Sequence, residues 1–280
     1  MDGKLSDDKL REVAAHETVR MFKLKLAQGA KPGKGGILPG EKVTEEIAKI
    51  RGLNVGQDGI SPNRHAEVNS WDKLLDLSGH IRKLTGKPVR IKTVVGAASA
   101  VQDLFDNIVK RGVETAPDFI TIDGGEGGKG AAPMPLIDLV GMSVRKALPL
   151  VANIRDKAGL SSRVRLIARG KLVNPADIAW ALAVGTDFVT SARGFMFSLG
   201  CIQALKYNKN TCPTGITTHD PRFQKGLVVS EKYKRVARYV TDIIHKVEVI
   251  AHSVGVNEPR LLRRRNVRLM QDNGRSVPMN

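Results

Sequence analysis

The sequence predicts an α/β fold, a parallel sheet wrapped by helices, and three observations predict it. Short apolar, β-branched runs bounded by Gly, Pro or Asp recur along the chain. Segments of helical period lie between them, so strand alternates with helix. Glycines and charged residues gather where the apolar runs end. Parallel strands need a crossover, and a helix is the usual one.

Taken in order, residues 7–20 read as an initial helix, and the apolar run 22–27 reads as the first visible strand. That strand empties into Gln28-Gly-Ala-Lys31-Pro-Gly-Lys-Gly-Gly-Ile37-Leu-Pro-Gly40. Such a loop suits an anion, because glycines let backbone N–H groups come close to a phosphate or carboxylate. A flexible surface loop is the plainer reading of the same residues. Helical period returns at 71–84, 100–111, 144–158 and 175–183, and strands are expected at 89–95, 119–122, 164–168 and 188–191. Asn174-Pro175 marks one helix start sharply, with a cap followed by a first-turn proline. Residues 231–253 form a long amphipathic segment, and an irregular basic tail is expected beyond Glu258. The chain therefore divides into a sheet-bearing unit, 1–230, and a C-terminal helix and tail, 231–280.

Composition narrows the function classes. The chain has 280 residues, 41% of them hydrophobic, with no uninterrupted apolar run of membrane length and a first 20 residues too charged for a signal peptide. A cytoplasmic protein without membrane contact is expected. Cys201 and Cys212 are the only cysteines, which excludes a disulfide framework and an all-cysteine zinc site within one chain. The net charge of +17 invites a nucleic-acid reading, yet only 4% of residues are the aromatics on which bases stack. We read the charge as a solvated basic tail, densest at Arg260 to Arg268, or as a surface for an acidic partner.

Gly125-Glu-Gly127-Gly-Lys-Gly130 matches the dinucleotide fingerprint in form only, since the next strand ends Ala168-Arg169 and supplies no acidic residue. Lys129 is followed by Gly130, so it is no Walker loop either. Asp123 leaves a buried strand beside these glycines, a costly place unless it bonds a ligand or backbone amides. His65 reads as a loop histidine that either caps the pocket or is simply solvated, the second being the plainer reading.

Five ordered blocks, the glycine loop, Lys42 to Arg51, Ser61-Pro-Asn-Arg-His65, Asp123 to Pro133 and Gly200 to Gly215, together resemble the FMN-binding glutamate synthase family, in a short form without a glutaminase domain. The resemblance implies a (β/α)8 barrel of the FMN-dependent type where the residue pattern alone also allows a doubly wound sheet. It further implies that the visible strands are the family's fourth to eighth, so the barrel is incomplete, with about the last five βα units and a C-terminal helical extension. Five strands leave two edges open. Either another polypeptide completes the barrel, or the chain is a remodelled descendant acting as a scaffold or subunit.

The implied activity is reduction of a 2-oxoglutarate-derived imine to glutamate or an N-substituted glutamate by FMN. The resemblance places flavin phosphate at Gly170, Lys171, Ala192 and Arg193, backbone donors at Gly124 and Gly125, and a cation facing the flavin at Lys92, with Asp123 beside it as a second catalytic group. Substrate recognition falls to Gln28, Lys31 and Arg51, whose cations suit carboxylates. At Ile37 the glutamate synthases carry a second glutamine, a departure that either puts the acceptor in question or marks the subfamily of shorter relatives, which resemble this chain in carrying Ile in this loop. The family holds a 3Fe-4S iron–sulfur cluster through three cysteines spaced six and five apart; here Cys201 and Cys212 remain and Tyr207 stands between them. A relic loop without an intact cluster is expected. No amidotransferase nucleophile is visible, so ammonia or an amine, and electrons, are expected from solution or another subunit.

Overall fold

The computed structural model describes residues 4–128 and 132–279. Helix α1, Asp7–Ala15, leads into strand β1, Phe22–Lys25, and a small antiparallel pair, β2 (Ile37–Leu38) with β3 (Gly59–Ile60), brackets helix α2, Glu45–Arg51. Then follow α3 (Trp71–Thr85), β4 (Val89–Thr93), α4 (Ala98–Arg111), β5 (Phe119–Asp123), α5 (Val144–Lys157), β6 (Arg165–Arg169), α6 (Pro175–Val184) and β7 (Phe188–Thr190). Helices α7 (Arg193–Leu199), α8 (Pro221–Gln224) and α9 (Val229–Ser253) precede a last hairpin of β8 (Arg268–Met270) and β9 (Ser276–Pro278).

The main sheet runs β1-β4-β5-β6-β7, every neighbour parallel. Strands in simple chain order have no point at which the order reverses, and a doubly wound sheet requires one. Right-handed crossovers in a fixed direction place all helices on one face, as in the wall of a (β/α)8 barrel.

Burial shows which face that is. Leu24, Val89, Ile91, Ile120, Ile122, Leu166 and Ala168 alternate along the strands and join Leu74, Leu75, Ile81, Phe105, Ile108, Leu148 and Val151 of the helices in one core. Each fully buried Leu, Ile or Phe contributes about 2 kcal/mol, so the stabilising burial lies on this side of the sheet. The opposite face carries Lys23, Lys25, Arg90, Lys92, Thr121, Asp123, Arg165 and Arg169.

Local chemistry sets the helix limits. Ser70 accepts from Lys73 N, and Gly86, at φ 65°, closes α3 in the left-handed conformation. Asn174 caps α6 by accepting from Asp177 N, with Pro175 in the first turn as its sequence announces. Helix α1 stops at Ala15, five residues short of expectation, where the extended His16 caps it ahead of the β-branched pair Thr18-Val19.

The tail beyond Glu258 is not irregular. It forms the β8–β9 hairpin, and Leu262 and Met279 are buried, Leu262 in a cluster with Ala179 and Ala183 of α6 and Val247 and Ala251 of α9. A few apolar residues among the arginines anchor it, a signal too sparse to read as periodicity. Helix α9 begins at Val229, two residues before the expected second segment, and packs on α6 and α7.

Candidate functional site

The loop after β1 interlocks with the loop after β5. Gly29 N donates to Asp123 Oδ2 at 3.1 Å, and Ala30 N donates to the Gly127 carbonyl at 2.7 Å. A Cβ on Gly29 would lie 1.9 Å from the Gly124 carbonyl oxygen, so only glycine permits this approach. Gln28 accepts from Lys25 Nζ at 3.0 Å and donates to the Gly128 carbonyl at 3.4 Å. The expectation of free amides at Gly124 and Gly125 is not met. Gly124 N donates to the Arg169 carbonyl at 2.8 Å, and Gly125 N donates to that of Met142 at 2.7 Å. These glycines serve close packing instead; residues 129–131 of the same loop lie outside the described residues.

At the centre, Lys92 Nζ donates to Asp123 Oδ2 at 3.1 Å, with both side chains buried. Burial pushes the Lys92 ammonium down to about 8; Arg169 and Lys25 push the same way, and Asp123 pulls against them. Arg169 Nε stands 3.7 Å from Asp123 Oδ1, which has no hydrogen-bond partner. The carboxylate is thus held by two cations and one amide, with one oxygen still available.

Beyond this triad the ends of β6 and β7 open into a cavity of about 420 Å³ lined by Gly128, Arg169, Gly170, Lys171, Thr190, Ser191, Ala192, Arg193 and Met196. The four residues expected to hold a phosphate, Gly170, Lys171, Ala192 and Arg193, are therefore brought together. Gly170, at φ 128°, and Lys171, at φ 49°, turn the β6 end sharply. Arg193 Nη2 donates to the Glu126 carbonyl at 3.0 Å, which ties it to the β5 loop. The Ser191 hydroxyl is buried without a partner.

A second cavity, also about 420 Å³, is lined by Lys31, Lys34, Gly35, Ile37, Asn208 and Lys209, among others. Lys31 is 8% exposed, and burial, then Lys25 and Lys34, hold its ammonium below the usual range. Arg51 is exposed at the end of α2 and lines neither cavity. His65 Nδ1 accepts from Glu67 N at 3.3 Å within its own turn.

Cys201, Tyr207 and Cys212 all line the first cavity. Burial pushes the Cys212 thiol up, but hydrogen bonds from Thr214 and Thr217 outweigh it and bring it down to about 6. Burial raises the Tyr207 phenol, so its anion is disfavoured. Lys42, 7% exposed, donates to the Tyr207 carbonyl and, at 2.8 Å, to that of Thr217, clamping this segment to the early loop. Sequence reasoning missed that clamp, as its partners lie 165 and 175 residues away. It also missed Glu126, whose carboxylate accepts from Val144 N at 3.0 Å and caps α5 from outside.

Residues 14–257 match the family model described as the conserved region in glutamate synthase. The chain belongs to the glutamate synthase family. It is 43% identical over 258 residues to the glutamate synthase large subunit-like protein YerD of Bacillus subtilis (strain 168), a match covering 92% of this chain and 49% of the relative. An archaeal-type glutamate synthase (NADPH) of Thermotoga maritima is 35% identical over 242 residues, covering 86% of this chain and 46% of the relative. This glutamate synthase-type chain thus spans about half the length of the curated relatives it matches. Among solved structures, a flavocytochrome b2 double mutant with pyruvate bound superimposes with a TM-score of 0.52 at 15% identity, over 92% of this chain and 49% of that one. That likeness and the strand order show the fold, five βα units of a (β/α)8 barrel that the described residues leave unclosed. No described helix is long and apolar enough to cross a membrane.

Proposed function

We propose that this chain is the flavin-holding part of a cytoplasmic, FMN-dependent oxidoreductase of the glutamate synthase type, acting on an imine of 2-oxoglutarate and forming glutamate or an N-substituted glutamate. The observation that carries the reading is the cavity at the ends of β6 and β7, where Gly170, Lys171, Ala192 and Arg193 converge within a chain of this family. Its volume falls in the range of cofactor pockets, about 300–1,000 Å³. Two cations, Lys171 and Arg193, suit a phosphate. The residues present therefore fit FMN, which when bound would supply the hydride.

The chain's own residues would do the rest. Lys171 and Arg193 bind the phosphate, and the buried Lys92 ammonium, held by Asp123, supplies positive charge next to the site. A group with its pKa near 8 retains its proton at neutral pH yet gives it up at modest cost, which suits a proton held at Nζ. Lys31, Lys34 and Lys209 make the second cavity cationic and suit the carboxylates of the acceptor, with Gln28 fixing the loop beneath them. Ile37 contributes an apolar wall, so an acceptor with less polar functionality at that point fits better. We infer no 3Fe-4S cluster, because two thiols and a phenol whose anion is disfavoured are a poor donor set for cuboidal iron. Electrons and the amine then come from elsewhere, and further polypeptide completes the barrel.

The test is fluorescence titration with FMN and with riboflavin. Arg193→Glu should weaken FMN at least tenfold and leave riboflavin unchanged, since only FMN carries the phosphate. Equal FMN affinity in the variant and the parent would overturn the placement.

A further inference from the structure

We infer that the polypeptide that closes the sheet is acidic where it lies against β1 and apolar where it lies against β7. The inference rests on the proposal that the barrel is completed, and adds the chemistry of the completing surface.

The register sets the argument. Leu24, Val89 and Ile91 turn to the helix core, so Lys23, Lys25, Arg90 and Lys92 turn to the other face, where Lys23 lies opposite Arg90 and Lys25 opposite Lys92. Like charges side by side on adjacent strands are unfavourable. Farther along the sheet the cations are answered. Lys92 and Arg169 reach Asp123, and Arg165 reaches Asp187 at 3.0 Å. At the β1 edge they are not. Among the described residues Lys23 and Arg90 have no ion-pair partner, and Arg90 Nε is buried with no hydrogen bond. Lys25 has only the neutral Gln28 oxygen. Burial, followed by the repulsion of Arg90, Arg169 and Lys25, outweighs the weaker attraction of Asp123 and holds Lys23 below the usual ammonium range, and burial and then Arg169 lower Arg90. The cluster crowds itself, and the element beside β1 is where carboxylates relieve it.

The β7 edge has the opposite character. Phe188 is 53% exposed and turns to the inner face, 6.0 Å from Phe119 between ring centroids. Just behind this edge an apolar groove runs along Ile178, Val189, Phe195, Tyr239 and Ile243. A second copy of this chain does not suit the inner face, because it would bring Lys23 and Arg90 against the same cations. The length of the relatives leaves room for the occupant, about half of each lying outside the match.

The experiment co-expresses this chain with the part of the Bacillus subtilis relative that it does not span, made as a separate polypeptide, and measures co-purification and binding. A complex is expected, and Lys23→Glu should weaken it at least tenfold while raising the melting temperature of the lone chain, since the new carboxylate meets Arg90. Opposite signs in the two measurements separate lost partner contact from misfolding. Lys110→Glu, an exposed change on α4 of the same net charge, should leave the complex unchanged. Absence of a complex overturns barrel completion itself. A complex indifferent to Lys23→Glu leaves completion standing and overturns the acidic chemistry. Tight binding of a single-stranded oligonucleotide, lost in Lys23→Glu, would assign the face to nucleic acid and also overturn the inference.

Discussion

Asp123 and Lys92 form a buried ion pair in which Asp123 is the carboxylate that answers Lys92, while Arg169 and the Gly29 amide also support Asp123. With both side chains buried, removing one partner strands a charge away from water. Lys92→Met or Asp123→Asn should each lower stability by about 3 kcal/mol, read as the urea midpoint, and the double variant should fall well short of the sum. Additive losses would show that the two groups are not coupled. Cys212 makes a second prediction at this scale. Its thiol is pushed up by burial and brought down further by Thr214 and Thr217, to about 6. Alkylation by iodoacetamide should therefore rise to half its plateau near pH 6, and Thr214→Val should move that midpoint upward. The folded state also binds fewer protons here than an ordinary thiol, so this group adds stability as pH rises from about 6 toward 9.

Among the elements, the contact of α7 with α9 decides how the β7 end is held. Tyr239 donates to the Val173 carbonyl at 2.9 Å and stands edge-on to Phe195 with ring centroids 5.5 Å apart. A Cβ at Gly194 would lie 1.9 Å from the Tyr239 oxygen. Gly194→Ala should therefore cost about 2 kcal/mol or more by displacing that ring and its hydrogen bond. Gly79→Ala in α3, where a Cβ meets nothing within 4 Å, should stabilise by about 1 kcal/mol, because only helix propensity changes. Thermal melts of the two variants moving in the same direction would refute this reading of the packing.

For the whole molecule, charge dominates. A net charge of +17, with several cations on one sheet face, makes self-repulsion a standing cost of the compact state. Raising sodium chloride from about 0.05 to about 0.5 M shortens the Debye length from roughly 14 to roughly 4 Å and should raise the melting temperature of the lone chain. The gain should be smaller in Lys23→Glu, where part of the repulsion is already gone. A melting temperature that falls with salt would mean that the favourable ion pairs outweigh the repulsion.

Residue order alone determined the alternation of strand and helix, the cap at Asn174, and the loops in which Gly170, Arg193 and Lys31 lie, because these depend on neighbours a few positions apart. The family resemblance, not residue order, marked Tyr207 as standing where a cysteine is expected. Tertiary structure decided what depends on distant partners. It chose a sequentially ordered sheet over a doubly wound one, turned the amides of Gly124 and Gly125 inward, separated Arg51 from both cavities and gave the basic tail a buried anchor at Leu262. It also brought Lys42 to Thr217. The physical reason is that helix period and capping are local, whereas a hydrogen bond across 175 residues exists only once the sheet has set both ends in place.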